Sequence, residues 1–441
     1  MSIDDHIHAG LKVPEIYFET RSQRYWYRSG KGEYIPLGID GMADKLKRYG
    51  FSTKRTHTSM SSAHEYLDDI RETNNVGWVG ALAGYKKGKH VIAGRNYLVD
   101  SEPTIIQPDK NCDWSDLKYM IDNMFTLRKE KHFLYAWIKY SYEALRDQTQ
   151  RPGPCLTITG PHNCGKTLFL YVLERILGGR VGSQKQYMDG DTSFNADLIG
   201  TELLKIDDEN SSKKMNDRRQ LGQMIKNICV AGHQRVHSKG RDAFNVRLFW
   251  RLVICTNEGD TDLNVLPPLV DGIRDKMLCL RVERPEVFPG PNKPDLRREH
   301  MENQVPGLLY YLMNWKVPEY VKGHRFGVRD YQNEFVDHSL WSVSDEAQMV
   351  DVIKEWKPWQ DEDKWVGTAI DFKNQMLEYD SNKMIARELL GWKGAAGVLL
   401  NNLCDLQDSH FTRRREGSNT WKYTIRKFTD KDYDTKIPED N

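Results

Sequence analysis

Gly160-Pro161-His162-Asn163-Cys164-Gly165-Lys166-Thr167 decides how the rest of the chain is read. The stretch fits G-x-x-x-x-G-K-[ST], the pattern of a phosphate-binding loop. Its flanks fit as well. Leu156-Thr157-Ile158-Thr159 has the composition of a short buried strand, and Leu168-Phe169-Leu170-Tyr171-Val172-Leu173 that of a helix start. The chemistry needs that order, because backbone N–H groups of the loop and of the helix N-terminus face the phosphates. Lys166 would hold the β- and γ-phosphates, and the Thr167 hydroxyl would ligate Mg²⁺. ATP and Mg²⁺ are therefore the expected ligands. The expected nucleotide contacts run through Gly160, Pro161, His162, Asn163, Cys164, Gly165, Lys166, Thr167 and Leu168.

Two further strands carry polar ends. Leu203-Leu204-Lys205-Ile206 is followed by Asp207-Asp208-Glu209, about 40 residues after the loop, which suits a Walker B element. One Asp would enter the Mg²⁺ shell, and the next acid would polarise the attacking water. The register is open: Asp207 with Asp208, or Asp208 with Glu209. Phe249 to Thr256 is a third apolar run and ends at Asn257. An amide there can orient the water beside a γ-phosphate, although Thr-Asn is also ordinary turn chemistry. Between the two runs, Leu221 to Val230 is amphipathic. His233 to Phe244 then reads as a hairpin whose tip places Lys239 and Arg241 around Gly240. Such a tip can grip a phosphate backbone; it can equally be a solvated turn.

Residues 155–285, with Gly160 to Thr167, Asp207 to Glu209, the Lys239 hairpin and Asn257 in that order, resemble the superfamily 3 helicases of viruses, phages and mobile elements. Gln234 to Phe244 is most similar to the phage and plasmid members, in which the helicase follows a primase-polymerase. The resemblance implies an α/β fold with an AAA+-like P-loop NTPase core. It also implies a hexameric ring that moves along DNA, with a primase or polymerase as partner. An arginine finger would follow the Asn257 strand, with Arg274 the candidate and Arg281 the second.

Around residues 151–285 the chain divides further. Residues 1–110 read as a small α+β module. Arg24 to Arg28 is expected as a strand, Gly30-Lys31-Gly32 as a turn, Met42 to Tyr49, stopped at Gly50, and Ala63 to Ile70 as helices, and Asn96–Val99 and Thr104–Ile106 as strands. The arginines and aromatics at 24–28 would suit a packed hairpin or a single-strand contact. Residues 111–150 are expected to form two helices closed by Arg151-Pro152-Gly153-Pro154. Residues 286–344 follow a proline-rich break over 285–295, with Pro285, Pro289, Pro291 and Pro294, and resume as a helix over Met301 to Trp315, a helical lid whose second half Pro306 opens. Residues 345–428 are expected to be winged-helix-like. Ser381 would cap a helix to Leu390, Gly394 to Leu406 a second, and Phe411 to Lys427 a wing. Arg413, Arg414 and Arg415 would form a DNA-binding patch there, or the wing would dock a protein. Residues 429–441 are charged and expected to be disordered.

Composition narrows the class less. The chain has 441 residues, with Lys+Arg 64 against Asp+Glu 63 and net charge +1. Any nucleic-acid site must therefore be a local patch. No run of apolar residues reaches membrane-spanning length. The seven cysteines are scattered without C-x-x-C, as expected of free thiols in a reducing cytoplasm. Three functions follow: an ATP-driven DNA helicase or translocase in replication of a mobile element, an origin-binding initiator whose ATPase drives assembly, or an ATPase that remodels a nucleoprotein.

Overall fold

Aromatic and β-branched residues in alternation build the first sheet. β1 (Ile16–Glu19), β2 (Arg24–Arg28) and β3 (Tyr34–Leu37) form an antiparallel meander. Over it pack α1 (Ile39–Leu46) and α2 (Ser62–Thr73), burying Ile16, Phe18, Tyr25, Met42, Leu46 and Leu67. A 3₁₀ turn over Lys47–Tyr49 extends α1 to Gly50. Gly50 ends it at φ +91°, a conformation that favours glycine. β4 (Asn75–Val76) runs parallel to β1, while β5 (Trp78–Val79), β6 (Gly88–Ile92) and β7 (Arg95–Val99) make a second sheet in the order β5-β7-β6.

The computed structural model describes residues 12–55, 59–182, 195–207, 215–230, 232–236, 243–259, 262–267, 269, 271–342, 344–359, 362–378, 383–391, 393–406, 409–416 and 420–429. The chain divides into two units, one drawn from residues 1–208, 223–255 and 276–331 and the other from 209–222, 256–275 and 332–441. The strand expected at Thr104–Ile106 does not form. Its backbone is satisfied elsewhere, since Thr104 N–H donates to the Gly178 carbonyl at 3.0 Å and the Tyr142 hydroxyl donates to the Ile106 carbonyl at 2.7 Å.

α3 (Ser115–Met124) and α4 (Arg128–Arg146) appear where expected. α4 carries Phe133, Leu134, Trp137, Ile138 and Leu145 into the main core. The Trp137 indole donates to the Pro154 carbonyl at 2.9 Å and so pins the entry to β8 (Cys155–Gly160). After β8 come α5 (Lys166–Ile176), β9 (Val181–Gly182), β10 (Leu203–Asp207), α6 (Met215–Val230) and the hairpin of β11 (Gln234–Val236) and β12 (Phe244–Val246). β13 (Arg251–Asn257), the short α7 (Asp271–Arg274) and β14 (Met277–Arg281) follow. β8, β13 and β14 belong to one six-stranded sheet, where β14 is parallel to β8, and β10 to both β13 and β9. Every residue of β8 and β13 is buried. The threonines of β8 and Arg251 of β13 are buried with their apolar neighbours, as in parallel strands covered on both faces.

The helix expected over Met301–Trp315 is two helices, α8 (Pro294–Glu302) and α9 (Val305–Asn314). Each has proline in its first turn, where no intrahelical N–H bond is forfeited. Pro294 therefore starts a helix instead of belonging to the break. Lys139 caps the end of α9, its ammonium donating to the carbonyls of Leu312, Met313 and Trp315 at 2.9, 3.0 and 3.1 Å. β15 (Lys322–Gly323) and β16 (Gly327–Val328) pair antiparallel, and β17 (Tyr331–Gln332) is the edge strand beside β14.

In the second unit, α10 (Glu334–Ser342) precedes α11 (Asp345–Trp356), whose Ala347 N–H is capped by Ser344 Oγ at 3.1 Å. β18 (Lys364–Gly367), α12 (Ala369–Glu378), α13 (Lys383–Leu390), α14 (Ala395–Leu406), β19 (Phe411–Glu416) and β20 (Thr420–Arg426) complete it. The strands form an antiparallel sheet in the order β18-β20-β19. Phe372, Leu390, Leu399, Leu403, Phe411 and Ile425 are buried together. Ser381, the expected cap of α13, lies outside the described residues, as do residues 430–441. No helix among the described residues is long and apolar enough to cross a membrane.

Candidate functional site

The loop between β8 and α5 turns twice through left-handed backbone. Asn163 and Gly165 take φ +58° and +98°, which turns successive N–H groups toward one side of the chain. A Cβ on Gly165 would meet the Phe288 ring at 2.6 Å, and one on Gly160 would meet Val282 at 2.5 Å. Neither glycine tolerates a side chain, and the loop is closed from behind. The Lys166 ammonium is buried and donates to the carbonyls of Gly160 at 3.0 Å and Pro161 at 2.8 Å. Burial pushes the Cys164 thiol pKa up, against the pull of the Lys166 ammonium beside it. His162, Asn163 and Thr167 are exposed, Pro161 and Leu168 half-buried. The α5 N-terminus, one free-facing hydroxyl and one ammonium thus lie together on a glycine loop. That donor set fits a triphosphate with Mg²⁺.

The sheet order places β13 between β8 and β10. Asp207, half-buried, ends β10. Asn257, 5 % exposed, ends β13. One residue before it, the Thr256 hydroxyl donates to the Asp262 carbonyl at 2.9 Å and ties the end of the strand to the segment that follows. Asp208 and Glu209 lie outside the described residues, so the Walker B register stays open. The hairpin is present as β11 and β12 with Val236 opposite Phe244. Its tip, with Lys239 and Arg241, also lies outside the described residues.

Arg274 ends α7. Its guanidinium is held by the Asp337 carboxylate and by Gln332 Oε1 at 3.4 Å, while Gln332 Nε2 donates back to the Arg274 carbonyl at 3.0 Å. Arg281 is engaged too: its N–H donates to Glu130 Oε1 at 3.0 Å and its side chain pairs with Glu283 at 3.2 Å.

The three arginines of β19 do not form one patch. Side chains alternate along a strand, so Arg413 and Arg415 share the face of Phe411, and Arg414 lies on the other face opposite Lys422. Arg413 is moreover committed within the unit. It donates to Asn401 Oδ1 at 2.8 Å and Asp405 Oδ1 at 2.9 Å, and its guanidinium lies 5.7 Å from the Trp421 ring centre.

Sequence patterns did not disclose the Arg180–Glu202 pair. Glu202 is fully buried, receives Arg180 Nε at 2.8 Å and accepts from the Gly84 N–H at 2.8 Å. It joins residues from three distant segments, and no local motif marks it. Asp337 was missed for the same reason, lying 63 positions from Arg274.

Residues 158–265 match the model of a family of unknown function (DUF5906). No curated protein matches the chain. Among solved structures, the apo structure of the NrS-1 C terminal region is similar at TM-score 0.53 and 14% identity, over 93% of this chain and 96% of that chain. Its A form gives TM-score 0.52 at the same identity and coverage. The SCCmec type IV Cch active helicase aligns at TM-score 0.32 and 11% identity over 90% and 72% of the two chains, too low to carry weight. Over nearly its whole length this chain shares its fold with the NrS-1 C terminal region.

Proposed function

We propose that this chain is an ATP-driven DNA helicase or translocase of the superfamily 3 type, acting in replication of a phage or other mobile element. The observation that carries the proposal is the loop itself: left-handed Gly165 at the start of α5 and a buried Lys166 ammonium held on the loop carbonyls. ATP would lie along the loop N–H groups, and Lys166 would exchange its carbonyl partners for β- and γ-phosphate oxygens. Thr167 and Asp207 or Asp208 would hold Mg²⁺, which when bound neutralises charge on those oxygens. Asp208 or Glu209 would polarise the attacking water. Asn257 would orient that water from the strand between the two nucleotide strands. Arg274, supplied by a neighbouring subunit of a hexamer, would stabilise charge in the transition state. The Lys239–Arg241 tip would carry DNA. The segment 345–428 would act as a winged helix, the β18-β20-β19 sheet supplying its wing, with Arg414 and Lys422 as duplex contacts. Residues 1–110, 111–150, 151–285 and 286–344 would serve as accessory module, helical support, ATPase core and lid.

Two variants test this. Lys166→Ala should abolish ATP hydrolysis. Lys239→Ala should keep ATP binding and most DNA-free hydrolysis but lose strand displacement, because one charge-assisted contact couples turnover to a backbone step. Normal hydrolysis in the first variant would end the ATPase assignment. Wild-type displacement in the second would leave a remodelling ATPase as the better description.

A further inference from the structure

A second basic site lies on the first unit, away from the phosphate loop. A cavity of about 480 Å³ opens between the start of β7 and the β11–β12 hairpin, lined by Arg95, Arg235, Phe244 and Asn245 with two alanines. The hairpin register makes it. Arg235 and Asn245 are cross-strand partners on the exposed face, while Val236 and Phe244 point inward. Phe244 anchors the floor, with Trp78 at 5.4 Å, Tyr97 at 5.9 Å and the Arg21 guanidinium at 4.5 Å from its ring centre.

Two features point to an anion. Arg95 and Arg235 are exposed, and no carboxylate lines the cavity among the described residues. Around Phe244, Arg21 Nη1 and Trp78 Nε1 are buried N–H donors with no acceptor among the described residues. Neither residue lines the cavity, so what they add is the Arg21 charge packed against the Phe244 ring and not a ligand contact. Burial raises the Tyr97 hydroxyl pKa, and the charges that act on it are the guanidiniums of Arg95 and Arg21, both opposing the rise. The aromatic rings are buried, Phe244 at 4 % and Tyr97 at 2 % exposure. They cannot stack on bases, so the site takes phosphate and not base.

We propose that this cavity, between β7 and the β11–β12 hairpin, binds phosphodiesters of a single nucleic-acid strand. The identity of the strand rests on the translocase function proposed above; the anion site does not. Contacts to phosphate alone would be indifferent to the sequence of the strand.

The test uses the full chain and a fluorescent 20-nucleotide oligo-dT followed by anisotropy across a salt series. Arg95→Ala/Arg235→Ala should bind at least about 10-fold more weakly at low salt, and its log–log salt slope should fall by about 1.4, roughly 0.7 for each phosphate of a single strand that is no longer neutralised. DNA-free ATP hydrolysis should be unchanged. Arg95→Lys/Arg235→Lys should retain most of the slope, which separates charge from fold. Wild-type affinity and slope in the double alanine variant would overturn the site. Should the wild type bind no oligonucleotide, the translocase function falls and inorganic pyrophosphate becomes the probe. A thermal shift with pyrophosphate that is smaller in the double variant than in wild type would uphold the anion site, and equal shifts would overturn it. If the alanine pair does not fold, Arg95→Gln and Arg235→Gln singly carry the same test.

Discussion

Gly165 concentrates the demands on a single residue. Its φ of +98° is open to glycine and strained for other residues, and its Cα faces the Phe288 ring. Gly165→Ala therefore meets strain and a clash together, and the loop must open to relieve them. Such strain costs about 1–3 kcal/mol. If the loop cradles a triphosphate, the variant should bind a fluorescent ATP analogue at least about 10-fold more weakly while its fold survives by circular dichroism. Unchanged affinity would mean that the phosphates do not lie along this turn. Lys166 makes the complementary point. Its ammonium already has carbonyl partners, so the proposed nucleotide binding would be an exchange of acceptors and not the capture of an unsolvated charge.

At the scale of elements, two contacts make opposite predictions about charge. The Glu202 carboxylate is buried at the head of β10, and burial raises its pKa despite the opposing Arg180 hydrogen bonds. Removing Arg180 leaves an uncompensated buried carboxylate, which costs roughly 3–5 kcal/mol. Arg180→Ala should thus lower the urea midpoint sharply. The sign with pH follows from the raised folded pKa: a carboxyl more easily protonated when folded favours the folded state as pH falls. The variant should therefore recover part of its deficit on acidification through the folded pKa, measured against wild type at each pH. A pH-independent deficit would assign the effect to packing. In β19 the alternation of side chains separates two arginines that adjoin in sequence. Arg413→Ala should cost about 1 kcal/mol of stability through Asn401 and Asp405, with little change in duplex binding. Arg414→Ala should spare stability and reduce the salt slope of duplex binding by about 1. Equal slopes for Arg414→Ala and wild type would remove this face from any DNA contact.

For the whole molecule, the question is whether hydrolysis needs a second copy. Arg274 is paired with Asp337 in its own chain, so service to a neighbour requires it to change partners. Arg274→Ala should bind ATP normally and hydrolyse it at least about 10³-fold more slowly, the scale of an arginine finger. Mixed with Lys166→Ala, it should regain part of the activity, because some sites would then join an intact Lys166 to an intact Arg274. Absence of recovery under subunit exchange would transfer the role to Arg281 or make the monomer self-sufficient.

What the sequence determined by itself is local. The glycine spacing, the Lys-Thr pair and the two flanking apolar runs are enforced by backbone geometry within a dozen or so residues, so the strand–loop–helix of β8 and α5 could be read directly. The same holds for the hairpin at Gln234 and the stop at Gly50. Proline misled where position mattered, since Pro294 starts a helix although Pro289 and Pro291 just before it argue for a break. Contacts between distant segments were decided only by tertiary structure. Arg274 finding Asp337 and Glu202 drawing in Arg180 and Gly84 each join residues that share no period. Such partners are chosen by burial, where an unpaired charge or donor is costly, and burial is a property of the packed chain and not of any window of its sequence.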